Sequence, residues 1–404
     1  MQPRSHFDVV VVGGGIAGSC LGGILARAGL SILIVEKDAS FRDRVRGEIT
    51  WPWGVAEVER AGLRAVLEHA DCVEIEAIRF IDERQVKDVY EFAPDSIDGL
   101  PALGFSHPRL QQAALDWAGS QGATVLRPAK ATQFEQDSSP VVTVVRDGEE
   151  LKVRTRLVVG ADGKQSGVRQ WTGGEAESDP ERHRLGGVLV RGIQWDRRTL
   201  DIVGFPQMTV FWFSASRDST RVYVAAKRDC LRVLGLERSF ENLAGQLAAI
   251  MPEDAFAQLH QAGPIGFFPN QNVWSTKLAS DYVVLIGDAA GASDPSRGMG
   301  TSQVFQDVRE LSDLLLGERN WPKALAEFER RRWRSYHVIR EHDRWRSLFV
   351  CEVGKEADRR RERHLRAREN DPTLGGFALL ESRGPDGLVA DEAARRRFFG
   401  EDLP

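Results

Sequence analysis

Residues 7 to 37 constrain this chain more than any other stretch. Phe7 to Val12 reads FDVVVV, a continuous β-branched run of the kind found in strands buried on both faces of a parallel sheet. GGGIAG follows, Gly13 to Gly18, then the helical stretch SCLGGILARAGL and a second apolar strand, SILIVEK, which runs into Glu36 and Lys37. Gly13 permits a tight turn, Gly15 lets a pyrophosphate approach the backbone, and Gly18 lets helix and strand close up. The amides of the first helical turn, around Ile16 and Ala17, then face the phosphates at the positive end of the helix dipole. Glu36, eighteen residues after Gly18, is spaced to accept hydrogen bonds from the ribose hydroxyls of an adenosine. The pattern predicts a dinucleotide site, against the alternative of a merely glycine-rich turn. It does not by itself separate FAD from NAD.

Two later segments repeat the theme. LVVGADGKQSGVR, Leu157 to Arg169, is an apolar strand running into Gly160 and then Asp162–Gly163. YVVLIGDAAGASDPSRGMGTS, Tyr282 to Ser302, is another such strand, ending in Gly287–Asp288 and followed by Pro295, a glycine-rich turn and a helical pattern. A strand ending in Gly–Asp places a carboxylate where it can reach a sugar hydroxyl. A glycine-rich turn into a helix makes a second cradle for negative charge. Two cradles in one chain predict one large dinucleotide gripped at both ends.

In this order and spacing, over residues 5 to 345, the segments resemble the FAD-dependent monooxygenases of the para-hydroxybenzoate hydroxylase type. The resemblance implies that the first motif holds the ADP half of FAD. It implies that Asp162–Gly163 serves FAD and the nicotinamide cofactor, and that Asp288 binds the ribityl chain. Pro295 and the run Gly298, Met299, Gly300 and Thr301 would then lie beside the isoalloxazine, with Pro295 at the reacting end. Arg46 and Gly47, in RDRVRGE, match a cofactor-lining loop, and Arg109, leading the helix HPRLQQAALDWA, matches an arginine that approaches the cofactor; Arg42 and Arg44 fit solvated charge equally well. The chain departs from the family at Gly291, where GDAAH is common, and at Ser302, where an Asn is common. Trp51-Pro52-Trp53 lacks the Ile-Pro continuation of the Trp-x-Trp-x-Ile-Pro element of flavin-dependent tryptophan halogenases, so halogenation is not expected.

The expected fold class is α/β: a Rossmann-like FAD-binding domain (1–72, 106–184 and 276–345) with an inserted β-sheet substrate domain (73–105 and 185–275) and a C-terminal helical segment and tail (346–404). MTVFWFSAS and TRVYVAAKR, around a short polar turn, read as a hairpin roofing the substrate cavity. Alternation puts Phe211 and Phe213 on one of its faces and Val210 and Trp212 on the other, without saying which faces the cavity. Tyr223 on that hairpin is the candidate partner for a phenolic substrate, with His107 a second. The charged stretch 321–370 reads as solvated helix, DPTLGG and SRGPDG as loop, and the end of the tail as a short helix.

Fifty-four Lys and Arg against 59 Asp and Glu leave a net charge of −5, which gives no reason to expect nucleic acid. Four scattered cysteines form no zinc pattern and suit a reducing cytoplasm. No stretch approaches the ~20 apolar residues of a membrane span. The resemblance then implies an oxidoreductase in which NAD(P)H reduces FAD, and O2 yields a flavin C4a-hydroperoxide that oxygenates an aromatic or other electron-rich small molecule. Its partners would be that small molecule and at most a second copy of the chain, with no metal. A FAD-dependent reductase or dehydrogenase of the same fold, inserting no oxygen, is the alternative. A nucleotide-binding module without redox chemistry is the reading from another class.

Overall fold

A computed structural model describes residues 6–82, 85–136, 140–205, 208–237, 239–250, 258–370 and 377–402. The predicted loop 371–376 lies outside the described residues.

The β-branched run sits where its composition demands. His6–Val12 is a central strand of a sheet whose parallel members run in the order Thr124–Leu126, Ile32–Val35, His6–Val12 and Glu149–Gly160, with Val283–Leu285 beside the last. Val9 and Val11 pack under the helices Ile16–Arg27, His107–Ser120 and Met299–Gly317, while Val10 and Val12 join the opposite apolar core with Leu33 and Leu285. Register aligns the strand ends: Val12 pairs with Gly160, and Gly160 with Leu285. Motifs almost 280 residues apart in sequence therefore emerge side by side at one edge of the sheet, where ligands of doubly wound folds bind. Val141–Arg146 and Lys130–Glu135 extend the sheet antiparallel.

A second sheet roofs this edge. Its strands run His260–Gln261, Arg184–Arg191, Thr220–Ala226, Met208–Ser214, Thr199–Phe205, Ala77–Asp82 and Gln85–Glu91, with Gly266–Pro269 also on Arg184–Arg191. The predicted hairpin forms, with Phe211 opposite Tyr223. Its alternation resolves cleanly. Val210 and Trp212 are buried against Leu231, Leu243 and Leu247 of the outer helices, and Phe211 and Phe213 face inward. A small sheet of Ile49–Thr50, Ala102–Gly104 and Val73–Ile75 joins the two large ones.

The charged stretch forms the helices Trp321–Cys351 and Lys355–Asn370, followed by Phe377–Arg383 and Glu392–Phe398. Asp391 caps the last by accepting from the Ala394 amide at 2.8 Å. Phe398 and Phe399 pack on Trp345 in a core of their own. Among the described residues no helix is long and apolar enough to cross a membrane, and no group of three His, Cys, Asp or Glu could hold a metal ion.

Candidate functional site

The three motifs meet through their glycines. Gly13 has φ +108°, and a Cβ there would lie 2.3 Å from the Ala161 carbonyl oxygen of the second motif. A Cβ on Gly18 would lie 2.0 Å from the Gly13 carbonyl oxygen, and one on Gly287 3.3 Å from the Ala17 Cβ. Close packing thus requires glycine at the first turn and locks the first motif against the other two. Gly15 is different: a Cβ there would meet only Gln111 Nε2, at 3.6 Å. Among the described residues only that ordinary contact borders the space Gly15 leaves, which is what a ligand at the backbone requires.

Both cradles fit a dinucleotide. The helices Ile16–Arg27 and Met299–Gly317 begin at Gly15 and Gly298, neither with a side-chain cap nor an acid in the first turn. Their leading amides are therefore left for an anion. Met299 and Thr301 are buried, and Gly300 has open space where a side chain would stand. Glu36 is buried and accepts from the Gly14 amide at 2.7 Å and the Asp38 amide at 2.7 Å. Each carboxylate oxygen retains a lone pair for a ribose hydroxyl. Asp162 Oδ2 accepts from Gly167 and Val168, while its Oδ1 is buried with no partner among the described residues. Buried polar atoms are rarely left so unless something absent completes them. The residues present fit FAD.

The loop after the second strand is clamped from the roof. Arg221, fully buried in the strand Thr220–Ala226, donates to Glu48 through Nε at 2.6 Å and Nη2 at 3.1 Å, and to Asp43 at 2.8 Å. Glu48 also accepts from the His107 amide at 3.1 Å, and the His107 ring bonds to the Gly47 carbonyl at 3.0 Å. Burial raises the Glu48 carboxyl above its ordinary value, with Arg221 opposing it. Burial and the Arg46 charge push His107 down to about 4. The Tyr223 hydroxyl donates to the Arg46 carbonyl, and burial raises the phenol well above its ordinary value. Tyr223 thus lines the cavity with its ring while its hydroxyl is committed to the backbone. The Arg46 side chain is exposed.

A cavity of about 850 Å³ opens beyond this loop. One end is formed by Gly47, Glu48, Pro295 and Gly298, and the roof by residues that include Phe80, Ile202, Phe211 and Phe213. Trp51 also lines it, holding the third motif by donating from Nε1 to the Arg297 carbonyl at 2.8 Å, while Trp53 is buried against Gly384. Arg297 is buried and donates to Glu381 of the C-terminal helix Phe377–Arg383. Asp294 fixes the same turn, accepting from the Ser296 amide at 2.9 Å and from Asn270 Nδ2 at 2.7 Å.

Several expected contacts stand apart. Arg109 is exposed and pairs with Asp71 at 3.6 Å, and Lys37 is exposed. Arg44 pairs with Asp38 at the surface. Gln111, two residues after Arg109, is the side chain that reaches the first cradle. Arg221, Glu381 and Lys164 went unnoticed in the sequence. Lys164 donates to the Gln271 carbonyl at 3.2 Å, and burial lowers its pKa against the pull of Asp288 and Asp294. Gln111 follows Arg109 in the helix HPRLQQAALDWA and Lys164 falls inside the DG segment, whereas no local pattern marks Arg221 or Glu381.

Comparison with known proteins agrees with this geometry. The FAD binding domain family matches residues 6–332. Among curated relatives, squalene epoxidase 3 of Arabidopsis thaliana is 24% identical over 78% of this chain, which spans 61% of that protein's length. The 6-methylpretetramide 4-monooxygenase of Streptomyces rimosus is 27% identical over 75% of this chain and 74% of its own. Digeranylgeranylglycerophospholipid reductase 1 of Methanococcoides burtonii is 24% identical over 87% and 82%. Among solved structures, p-nitrophenol 4-monooxygenase from Pseudomonas putida superposes with a TM-score of 0.79 at 17% identity, covering 94% of this chain and 98% of that one. A triple mutant of a flavin-dependent brominase gives 0.77 at 18%, covering 98% and 99%. At these identities the superpositions establish the fold. With a family match over most of its length and three motifs converging on a cradle that fits the cofactor, this chain belongs to the FAD binding domain family, and its cofactor is FAD.

Proposed function

We propose that this protein is a FAD-dependent monooxygenase that uses NAD(P)H and O2 to oxygenate an aromatic or other electron-rich small molecule. The observation that carries the reading is the continuity of the second cradle with the cavity: Pro295 and Gly298 form one end of a largely apolar chamber roofed by Phe211 and Phe213. FAD, when bound, supplies the redox chemistry and the activation of O2.

The chain supplies position and environment. Glu36 and the uncapped amides after Gly15 would hold the adenosine and pyrophosphate, and Asp162 and Asp288 the chain between them. Asp288 is half-buried and has no hydrogen bond or ion pair among the described residues. Arg46, Gly47, Gly298, Met299, Gly300 and Thr301 would border the ring end. The positive end of the helix Met299–Gly317 would stabilise negative charge there. Pro295, with no amide hydrogen, presents an aprotic wall at the reacting end. Tyr223 acts by anchoring the Arg46 carbonyl rather than by taking a proton from substrate. The aromatic roof keeps water from the reacting end. We place NAD(P)H as a transient reductant, Arg109 as an outer contact at most, and the protein, whose described thiols Cys20, Cys72 and Cys230 are free, in the cytoplasm.

A second reading, an FAD-dependent reductase that inserts no oxygen, is favoured by the similarity to the Methanococcoides burtonii reductase, which covers more of both chains than the other two relatives described. Oxygen uptake separates the two. Under the first reading, substrate accelerates NAD(P)H oxidation with one O2 consumed and an oxygenated product formed. Substrate turnover under argon at an undiminished rate would establish the second. Asp288→Ala is expected to lower flavin content after dialysis about tenfold, the loss of one charge-assisted contact. Unchanged flavin content would remove Asp288 from the site.

A further inference from the structure

The cavity is much larger than a single phenol needs, and its lining is partly aromatic and partly charged. A cavity of ~150 Å³ accommodates a benzene ring. By that measure the three fused rings of a flavin head would take on the order of 450 Å³ even if they lay wholly inside, leaving about 400 Å³, room for two or three rings more. The space beyond Pro295 is walled by the aromatic faces of Phe80, Phe211 and Phe213. Planar ring systems pack on such faces.

Part of the lining is polar. Glu352 and Gly354 come from the turn between the helices Trp321–Cys351 and Lys355–Asn370, and Asp358, Arg361 and Arg368 from along the second of them. The acids there already have cations. Glu352 pairs with Arg360 at 2.9 Å and Arg182 at 3.7 Å, and Asp358 pairs with Arg361 at 2.5 Å. Arg361 is further committed to the carbonyls of Phe349 and Glu352, at 3.0 and 2.9 Å. Asp88, also in the lining, accepts from the Val89 amide at 2.9 Å. Arg368 is half-buried and lines the cavity without an ion pair among the described residues. A half-buried guanidinium in the wall of an apolar chamber is a receptor for a carboxylate or similar anion.

Resting on the monooxygenase reading of the site, we propose that its substrate is an apolar acid of two or more fused rings, lying along the aromatic roof with its anionic group on Arg368. The size of the chamber selects against single-ring compounds, and Arg368 sets the direction in which the substrate enters.

Calorimetric titration of the FAD-loaded protein tests this with four probes: 2-anthroate, the neutral 2-anthracenemethanol, benzoate and laurate. The expected order has 2-anthroate tightest, with benzoate about a hundredfold weaker for want of apolar contact and the neutral alcohol about three- to tenfold weaker for want of the ion pair. Arg368→Gln should bring 2-anthroate to the level of the alcohol and leave the alcohol unchanged, and Arg368→Lys should keep part of the preference. Arg368 is on a solvated helix, so these variants are expected to fold. Benzoate matching 2-anthroate, laurate exceeding it, or acid binding indifferent to Arg368 would each overturn the proposal. The titration reads binding without turnover. An FAD-loaded protein that consumes O2 but shows no preference for ring number or charge would refute this inference and leave the monooxygenase reading standing. Failure to bind FAD would refute that reading, while the same titration on the flavin-free chain would still judge the preference.

Discussion

The turn at Gly13–Gly18 is shaped by backbone packing, whereas the turn at Asp294–Gly298 is held by side chains from distant stretches of chain. At the first, the Ala161 and Gly13 carbonyls occupy the places where side chains would stand. At the second, Gly298 is left-handed (φ 67°), but its neighbours are fixed by Trp51, Asn270 and Glu381. The loop beside it, Arg42–Glu48, is fixed in the same way by Arg221 and His107. A cradle made of backbone is rigid and local. One made of side chains can be altered residue by residue, and it lies at the end where substrates differ.

The sharpest test of this contrast is Gly13→Ala. It combines a strained φ of +108° with a Cβ 2.3 Å from a carbonyl oxygen that the parallel strands hold in place. Gly29→Ala is the control, since Gly29 has φ +92° and open space around it. The control is expected to cost about 1–2 kcal/mol and keep its flavin. Gly13→Ala should purify without FAD, if it folds at all. Equal flavin content in the two variants would show that backbone contact does not shape the first cradle.

At the other end, Arg221→Met removes the cation and leaves Glu48 buried without it. Breaking a buried pair from one side costs about 3–5 kcal/mol, read as a lower midpoint in urea unfolding. Because the loss is local to the 42–48 loop, adenosine diphosphate should still bind the surviving first cradle. A variant with wild-type stability would mean the clamp is ornamental; loss of adenosine diphosphate binding would mean the two cradles are not independent.

This contrast also explains what the sequence disclosed. The first cradle was legible because glycine spacing, a β-branched strand and a distant acid are local consequences of one packing problem. The departures at Gly291 and Ser302 were visible as letters, but their reason was not. A Cβ on Gly291 would stand 3.1 Å from the Tyr336 ring, whose hydroxyl donates to the Val273 and Ala292 carbonyls; Tyr336 occupies the place a larger residue would need. Ser302 Oγ accepts from the Trp51 amide at 2.9 Å and lies 2.5 Å from where a Cβ of Gly54 would be, so an Asn has no room. Arg221 and Glu381 escaped notice for the same reason: their partners are 173 and 84 residues away, and only the folded sheets bring them together. Alternation named the two faces of the hairpin but not the inward one, because both are aromatic.

The smallest effect concerns pH, and it too should belong to the side-chain-built end. His107 is pushed from an ordinary 6.5 down to about 4 by burial and Arg46. His342, whose ring bonds to the Val389 carbonyl in the C-terminal tail, is pushed to about 4 by burial and Arg297. In the unfolded chain both imidazoles take up protons as the pH falls below 6.5, whereas the folded protein refuses them until about 4. The contribution of these two histidines to stability is therefore greatest above pH 6.5 and declines as the pH falls through that window. Each histidine contributes about 1–3 kcal/mol at most. His107→Gln keeps a ring-sized polar group against the Gly47 carbonyl without a titrating proton. Its melting temperature should fall less steeply than the wild type's between pH 6.5 and about 4, with His342 contributing to the slope that remains. Parallel curves would show that the His107 ring is open to protons in the fold, and hence that the 42–48 loop is not closed over the ring end as its hydrogen bonds require.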